Sequence, residues 1–391
     1  MRPILLSACA LAFALAPICA AQAHFHVLYT FHGGADGGQS AAGLFVDRDG
    51  TIYGSATIGG TACGTVGCGT IFKLAPDGTQ SVVYAFQGGR DGEEPETTLI
   101  RDRQGNLYGT TVGGGHGCRG FGCGTVFALA PDGTQAQLHV FRNKSEGDSP
   151  NVRLLRDRSG NLYGTAFGGP NGFGIVYEVA SGGSYSILYS FTGGADGAFP
   201  LGDLIEDAGG NLYGTTALGG ANNYGDVFKL APGGTLSVLY SFAANPDGRG
   251  PGAGLIADAQ GDLYGTTFKG GTSDLGTVFK LAPGGTETVL HSFAGGEDGA
   301  FPNTDLIFDA AGNLYGTTYQ GGPGNVGTVF KTAPDGTTTV IYAFTGGADG
   351  AYPFSGVTAG RRKKLYGTTW LGGDANACNG QGCGTVFEIH E

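Results

Sequence analysis

A Tyr-Gly pair recurs seven times along the chain, at Tyr53, Tyr108, Tyr163, Tyr213, Tyr264, Tyr315 and Tyr366, in steps of 55, 55, 50, 51, 51 and 51 residues. A period of this length means copies of one supersecondary unit, since a single copy cannot bury its own apolar face. Around each pair lie four short apolar segments separated by turn chemistry. In the copy opening at Leu201, Leu204-Ile205 leads into the tight turn Asp207-Ala208-Gly209-Gly210-Asn211, and Leu212-Tyr213-Gly214-Thr215-Thr216 returns as a second strand. A Gly-rich loop reaches the third strand, Asp226-Val227-Phe228-Lys229-Leu230. Ala231-Pro232-Gly233-Gly234-Thr235 then turns the chain into the fourth, Val238-Leu239-Tyr240-Ser241-Phe242. Four short antiparallel strands per copy predict an all-β fold, a seven-bladed β-propeller.

The two ends are complementary. The first copy begins with a fourth-strand segment alone, Val27-Leu28-Tyr29-Thr30-Phe31, and the last stops after its third strand, Gly384-Thr385-Val386-Phe387. The N-terminal strand is therefore expected to complete the last blade and close the ring, leaving no free sheet edge. An open β-solenoid is the competing architecture, but it has no need of such a split. Closure places the Leu204-Ile205 segment innermost, beside a central channel, and gathers the Asp-x-x-Gly and Ala-Pro-x-Gly turns on one face. The other face carries the longer connections, such as Gly193 to Pro200, and the Gly-Gly loops after each Thr-Thr. Because loops vary where a rigid scaffold carries function, this longer-looped face is the expected working face.

The recurring Asn-Leu-Tyr-Gly-Thr-Thr, Gly-Thr-Val-Phe-Lys-Leu and Val-Leu-Tyr-Ser-Phe blocks resemble the GloVer-type tandem repeats of "choice-of-anchor" extracellular bacterial proteins. The resemblance spans nearly the whole chain after its first residues. It implies export and, in many members, a C-terminal sorting anchor; this sequence departs there, ending inside its last blade. The resemblance supplies no catalytic residues.

The first residues read as a secretory signal peptide over 1–23. Met1-Arg2 precede an apolar run from Ile4 to Ala16, and Ala21-Gln22-Ala23 forms a small-residue cleavage site. Cleavage after Ala23 leaves one propeller domain over 24–391, secreted or periplasmic/extracellular. The apolar run is too short for membrane insertion. Beyond it stand 20 basic and 33 acidic residues, a net charge of −13. That balance argues against nucleic acid or an anionic membrane surface as partner, since both need basic patches.

Six cysteines follow the leader, paired as Cys63 and Cys68, Cys118 and Cys123, Cys378 and Cys383, each pair just before a Gly-Thr-Ile/Val-Phe strand. They fall where that loop is lengthened, to 16, 16 and 18 residues from Tyr-Gly to Gly-Thr against 11 or 12 elsewhere. In an exported protein they predict three local disulfides, each stapling a long loop. A metal site needs Cys or His ligands in fours, and no His stands near two of the pairs, so no metal is expected.

Recurring aspartates suit turns. Asp47, Asp102, Asp157, Asp207, Asp258 and Asp309 start the inner hairpins, and Asp36, Asp91, Asp196, Asp247, Asp298 and Asp349 precede glycine in the longer connections. The latter offer oxygen ligands of the kind calcium takes, but too few per loop, and no other cofactor is indicated. Positions where the copies differ say more. Just before the inner strand's Leu or Val stand Gly43, Thr98, Arg153, Asp203, Gly254, Asp305 and Gly356. Arg153, Asp203 and Asp305 thus place charge at the channel mouth, where a carboxylate pair suits acid–base work on a glycoside and a solvated polar rim is the plainer reading. After the Thr-Thr step, Phe268, Tyr319 and Trp370 fall in three consecutive blades, with Phe199, Phe301 and Tyr352 before prolines on the same face. They form either an aromatic platform for sugar rings or packing between blades. No Gly-x-Ser-x-Gly elbow, phosphate loop or His-Glu-x-x-His motif is present. The leading expectation is a non-enzymatic extracellular binding scaffold for a glycan or a surface protein. A carbohydrate-active hydrolase or lyase and a purely structural envelope protein are the alternatives.

Overall fold

A computed structural model of the chain describes residues 23–302 and 304–390; all of the expected signal peptide except its last residue, Ala23, lies outside the described residues. Seven four-stranded antiparallel sheets follow one another around a central channel. Blade I comprises Phe45–Val46, Ile52–Ala56, Thr70–Leu74 and Gln80–Ala85, from the channel outward. Blades II to VI repeat it, with inner strands at Ile100–Arg101, Leu155–Arg156, Ile205–Glu206, Ile256–Ala257 and Ile307–Phe308. Blade VII orders Thr358–Ala359, Lys364–Thr368 and Thr385–His390, and its outer strand is the N-terminal His24–Thr30. This closing pair runs antiparallel from His24 opposite His390 to Thr30 opposite Thr385. The expected ring closure is therefore present.

The repeating residues explain the blade. In six of the seven inner hairpins an aspartate starts the turn, Gly360 taking its place in blade VII; in blade IV Asp207 Oδ1 accepts from the N–H groups of Gly209 and Asn211, and Tyr213 Oη donates to Oδ2 at 2.9 Å. In the longer connections Asp196 accepts from Tyr189 Oη at 3.0 Å and from the Thr192 N–H at 2.8 Å. Asp36, Asp91, Asp247 and Asp349 repeat this with Tyr29, Tyr84, Tyr240 and Tyr342, and His291 serves Asp298. These carboxylates tie the outer strands of six blades to the connections that leave them, and in blade II Glu146 accepts from the Arg142 N–H at 2.9 Å instead.

Blades meet through aromatic rings. The phenylalanine after each outer strand packs edge-on against a third-strand ring of the next blade. Phe242 lies 5.1 Å from Phe279, Phe293 5.1 Å from Phe330, and Phe31 bridges the closing seam to Phe72 at 5.1 Å. The same contact occurs at all seven seams, with Tyr177 replacing phenylalanine in blade III. Most of these rings are fully buried, and they form the largest fully buried side chains of the protein. The glycine of each Tyr-Gly pair follows from this packing. A Cβ at Gly214 would stand 2.7 Å from Phe228 Cζ, and one at Gly316 2.7 Å from Phe330 Cζ. Only a residue without a side chain lets the third-strand ring lie across the second strand.

On the longer-looped face, every seam carries one further hydrogen bond. The residue before the proline, or before Ser40 in blade I, has φ between 48° and 65° in every blade, and its N–H donates to a carbonyl of the preceding blade. Glu94 bonds Cys68 at 2.9 Å, Ser149 bonds Cys123 at 2.9 Å, and Gln39 bonds Cys383 at 2.7 Å across the closing seam. The three disulfides form as expected, Cys63–Cys68, Cys118–Cys123 and Cys378–Cys383, with Cα separations of 5.2–5.3 Å. They fall in blades I, II and VII, which are neighbours, so each stiffens the carbonyl that grips the next blade.

Candidate functional site

The strand order leaves a central channel of about 850 Å³, lined among others by Glu96, Arg153, Asp203, Asp305, Phe354 and Trp370. Its charged residues come from the variable position ahead of the inner strand. There, alternate blades reach back to their neighbours: Thr98 Oγ1 accepts from the Gly43 N–H at 2.8 Å, Asp203 Oδ1 from the Arg153 N–H at 2.8 Å, and Asp305 Oδ1 from the Gly254 N–H at 2.7 Å. Gly254 separates the two aspartates, and a Cβ on it would lie 2.7 Å from Asp203 Cβ and 2.8 Å from Asp305 Oδ1. The missing side chain in blade V is what lets carboxylates of blades IV and VI face each other.

Asp203 corrects the expectation of a solvated rim, since it is only 7% exposed. Its Oδ2 lies 3.0 Å from Arg153 Nε but off the bonding line, and no donor satisfies it. Burial, and next the charge of Asp305, push its carboxyl well above the usual carboxylate range, and Arg153 opposes them. Arg153 is held charged chiefly by Asp203 while its side chain remains 41% open to the channel. The group is a partly desolvated acid, a cation and a second carboxylate, an arrangement that functional sites favour.

Two lining residues were missed in the sequence. Glu96 follows the proline of blade II, and burial, reinforced by the neighbouring Glu94, pushes its carboxyl up to about 7. Phe354 holds the same position in blade VII and is 43% exposed. The signal was the column after each proline, which reads Ala41, Glu96, Asn151, Leu201, Gly252 and Phe354 in the described residues.

The aromatic residues do not form one platform of Phe268, Tyr319 and Trp370. Tyr319 pairs with Tyr352 at 5.0 Å and with Phe354 at 5.1 Å, and Phe354 meets Trp370 at 5.5 Å. Phe268 and Phe301 make a separate pair at 5.1 Å, and Phe199 sits with Phe167 and Phe173 between blades III and IV. The physical reason is the seam: the residue after Thr-Thr in one blade faces the residue before proline in the next. Trp370 meets no ring there because blade I offers Gln39, and it turns to Phe354 instead. The Tyr319–Phe354–Trp370 group alone continues into the channel lining. Among the described residues the one grouping with metal-ligand chemistry, Cys63, Cys68 and Glu93, has both sulfurs in a disulfide.

Seven four-stranded sheets closed by the N-terminal strand, with varied residues gathered at one end of the channel, define a seven-bladed β-propeller built from tandem repeats. The chain belongs to the Gloeobacter/Verrucomicrobia repeat family, which matches residues 10–228 and 200–391. No curated protein matches it in sequence. Among solved structures it is similar to virginiamycin B lyase from Staphylococcus aureus, with a TM-score of 0.59 and 11% identity, covering 94% of this chain and 100% of that one. It is also similar to the extracellular domain of a candidate one-component system from B. thetaiotaomicron, with a TM-score of 0.58 and 11% identity, covering 94% of this chain and 40% of that one. At such identity the likeness is one of fold.

Proposed function

We propose that the protein is an exported, non-enzymatic binding propeller that takes a glycan segment on its longer-looped face, over the channel mouth at blades VI and VII. The observation that carries this reading is Phe354, exposed and in ring contact with both Tyr319 and Trp370, while it and Trp370 also line the channel. Binding pockets pair apolar and aromatic walls with a few polar groups that fix orientation. Here Glu96 and Arg153 supply those groups from the same channel. With its carboxyl near 7, Glu96 both donates and accepts hydrogen bonds at neutral pH, as sugar hydroxyls require. Three disulfides support export to an oxidising compartment.

Trp370 is the only tryptophan, so its fluorescence reports on this one place. Titration with neutral oligosaccharides should give a saturable spectral shift that is lost in Tyr319→Ala and Phe354→Ala. A flat response across the panel refutes the reading. The second reading, a hydrolase or lyase, is favoured by the buried Asp203 carboxyl beside Arg153, whose Oδ2 has no hydrogen-bond donor. The structurally similar virginiamycin B lyase is named as a lyase, and turnover of a polysaccharide lost in Asp203→Asn would install the enzyme reading.

A further inference from the structure

The face opposite the long loops is built from the inner hairpin turns, and there the copies divide. The residue after the turn's first position is Arg48, Arg103, Arg158 and Arg361 in blades I, II, III and VII, but Ala208, Ala259 and Ala310 in blades IV, V and VI. Blade VII adjoins blade I, so the four arginines are consecutive around the ring. All four are exposed, and no ion pair among the described residues engages them. Behind them Arg101 and Arg156 lie over the rings of Tyr53 and Tyr108 in the preceding blades, at 5.9 and 5.6 Å. Arg362 and Lys363 extend the arc in blade VII, where both are exposed.

The charge count is lopsided. Residues 45–53, 100–108, 155–163 and 358–366 hold nine basic side chains against four acidic ones, Asp47, Asp49, Asp102 and Asp157. Asp47 is paired with Arg101, and Asp102 and Asp157 are occupied by Asn106 and Asn161 of their own turns. Lys364 is likewise paired, with Glu388 at 2.8 Å. The matching stretches 205–213, 256–264 and 307–315 hold no Lys or Arg and five acidic residues, Glu206, Asp207, Asp258, Asp262 and Asp309. Along the inner hairpins one half of this face is thus positive and the other negative; the adjoining Ala-Pro-x-Gly turns add Asp77 and Asp132 to the first half, and Lys229, Lys280 and Lys331, over the rings of Tyr213, Tyr264 and Tyr315, partly offset the second. Between blades II and III the positive half deepens into a cleft of about 450 Å³ lined by Arg103, Gln104, Arg156, Asp157 and Arg158.

We propose that this arc is a second binding site, independent of the loop-face reading, for an anionic polysaccharide bearing carboxylate or sulfate groups. Arginine presents a planar fork that pairs bidentately with such groups, and the cleft has room for a charged sugar unit. In a chain with a net charge of −12, nine clustered cations are not a by-product of a basic surface. The acidic half decides against a flat anionic bilayer, which would meet both halves at once. None of the exposed large apolar residues lies on these turns, so nothing here inserts into lipid or stacks on a base. A flexible anionic chain can follow the positive arc alone.

The test uses the full chain, and binding to polygalacturonate and to a sulfated polysaccharide is measured at 50 and 300 mM salt, with dextran as neutral control. Retention at low salt that weakens steeply with salt, by analogy with counterion release from nucleic acids, is expected for at least one anionic polymer and not for dextran. Arg103→Ala/Arg158→Ala should lose about tenfold or more in affinity, and Arg103→Lys/Arg158→Lys should recover part of it; unchanged melting of these exposed-site variants shows that the fold is intact. Phe354→Ala should leave this binding unaltered, which separates the site from the loop face. The proposal is overturned by no retention of either anionic polymer at 50 mM salt, by retention indifferent to the arginine pair, or by equal or tighter binding to phosphatidylglycerol vesicles or duplex DNA.

Discussion

Removing the charge of Glu96 without changing its shape, by Glu96→Gln, is expected to stabilise the protein in a pH-dependent way. The carboxyl sits in the channel with its proton affinity raised to about 7 by burial and by Glu94. In the unfolded chain an ordinary glutamate titrates near 4.3. A folded value above the unfolded one means that folding favours the protonated form. The group is therefore harmless below about pH 4, where both states hold the proton, and stability is lost progressively as pH rises from about 4 to about 7, where only the folded state still holds it. A shift of about 2.5 units corresponds to roughly 3 kcal/mol at most, and access to channel water lowers the expected figure to about 1–3 kcal/mol. Spread over an unfolding entropy of roughly 0.8 kcal/mol/K for a chain of this length, that is a rise in Tm of about 1–4 °C. Circular dichroism melts of both proteins between pH 4 and 9 are the assay. The curves should coincide near pH 4, diverge as pH rises towards 7 and keep a constant separation above it, with the variant the more stable. Glu94→Gln should narrow the gap by relieving its neighbour. A constant offset at every pH, or a variant less stable at pH 8, refutes the reasoning.

Three further outcomes are expected. Asp226 is buried in blade IV where five other blades carry threonine; one oxygen takes the Ser241 hydroxyl at 2.6 Å, the other is unsatisfied, and burial raises its carboxyl to about 6. Asp226→Thr should therefore raise stability by about 1–3 kcal/mol at pH 8 and far less at pH 4, read from urea midpoints. Phe242→Ala empties the seam between blades IV and V and should cost about 3–5 kcal/mol, with Phe242→Leu costing less, by the same measurement. Cys378→Ser/Cys383→Ser opens a short loop worth about 2 kcal/mol and should speed amide exchange at Gln39, whose N–H bonds the Cys383 carbonyl across the closing seam; unchanged exchange there would deny the disulfide its part in closure.

The blade was legible because its signals are local and repeated. Tyr213-Gly214, the Asp207 turn and the Ala-Pro-x-Gly turn each announce themselves within a few residues, and the split strand at the two ends announces closure. Contacts between copies were less open to reading. Phe242 and Phe279 both recur as block positions, yet nothing in a linear repeat says that the first of one copy meets the second of the next. The same rule governs the aromatic residues of the loop face, which is why Trp370 finds Phe354 rather than Tyr319. Burial escaped too: a column holding Arg153, Asp203 and Asp305 looks like a wet rim until Gly254 is seen to let two carboxylates converge. Net charge hid the basic arc, because composition adds both faces and both halves of each face together.

The seams also decide how many copies the protein has. In an open array each unit meets its neighbour at whatever angle suits it, and units are gained or lost without consequence elsewhere. Here each phenylalanine contact, at 5.1–5.4 Å and with rings crossed at 65–78°, fixes the wedge that one blade occupies. Seven equal wedges, each one seventh of a turn, bring His24–Thr30 against Thr385–His390 in register. Loss of a whole copy would leave every local contact available and still leave a gap, and gain of one would crowd the ring. Repeat number is thus a geometric quantity written in the rings between blades, and it can change only if all seven seams change their angle together.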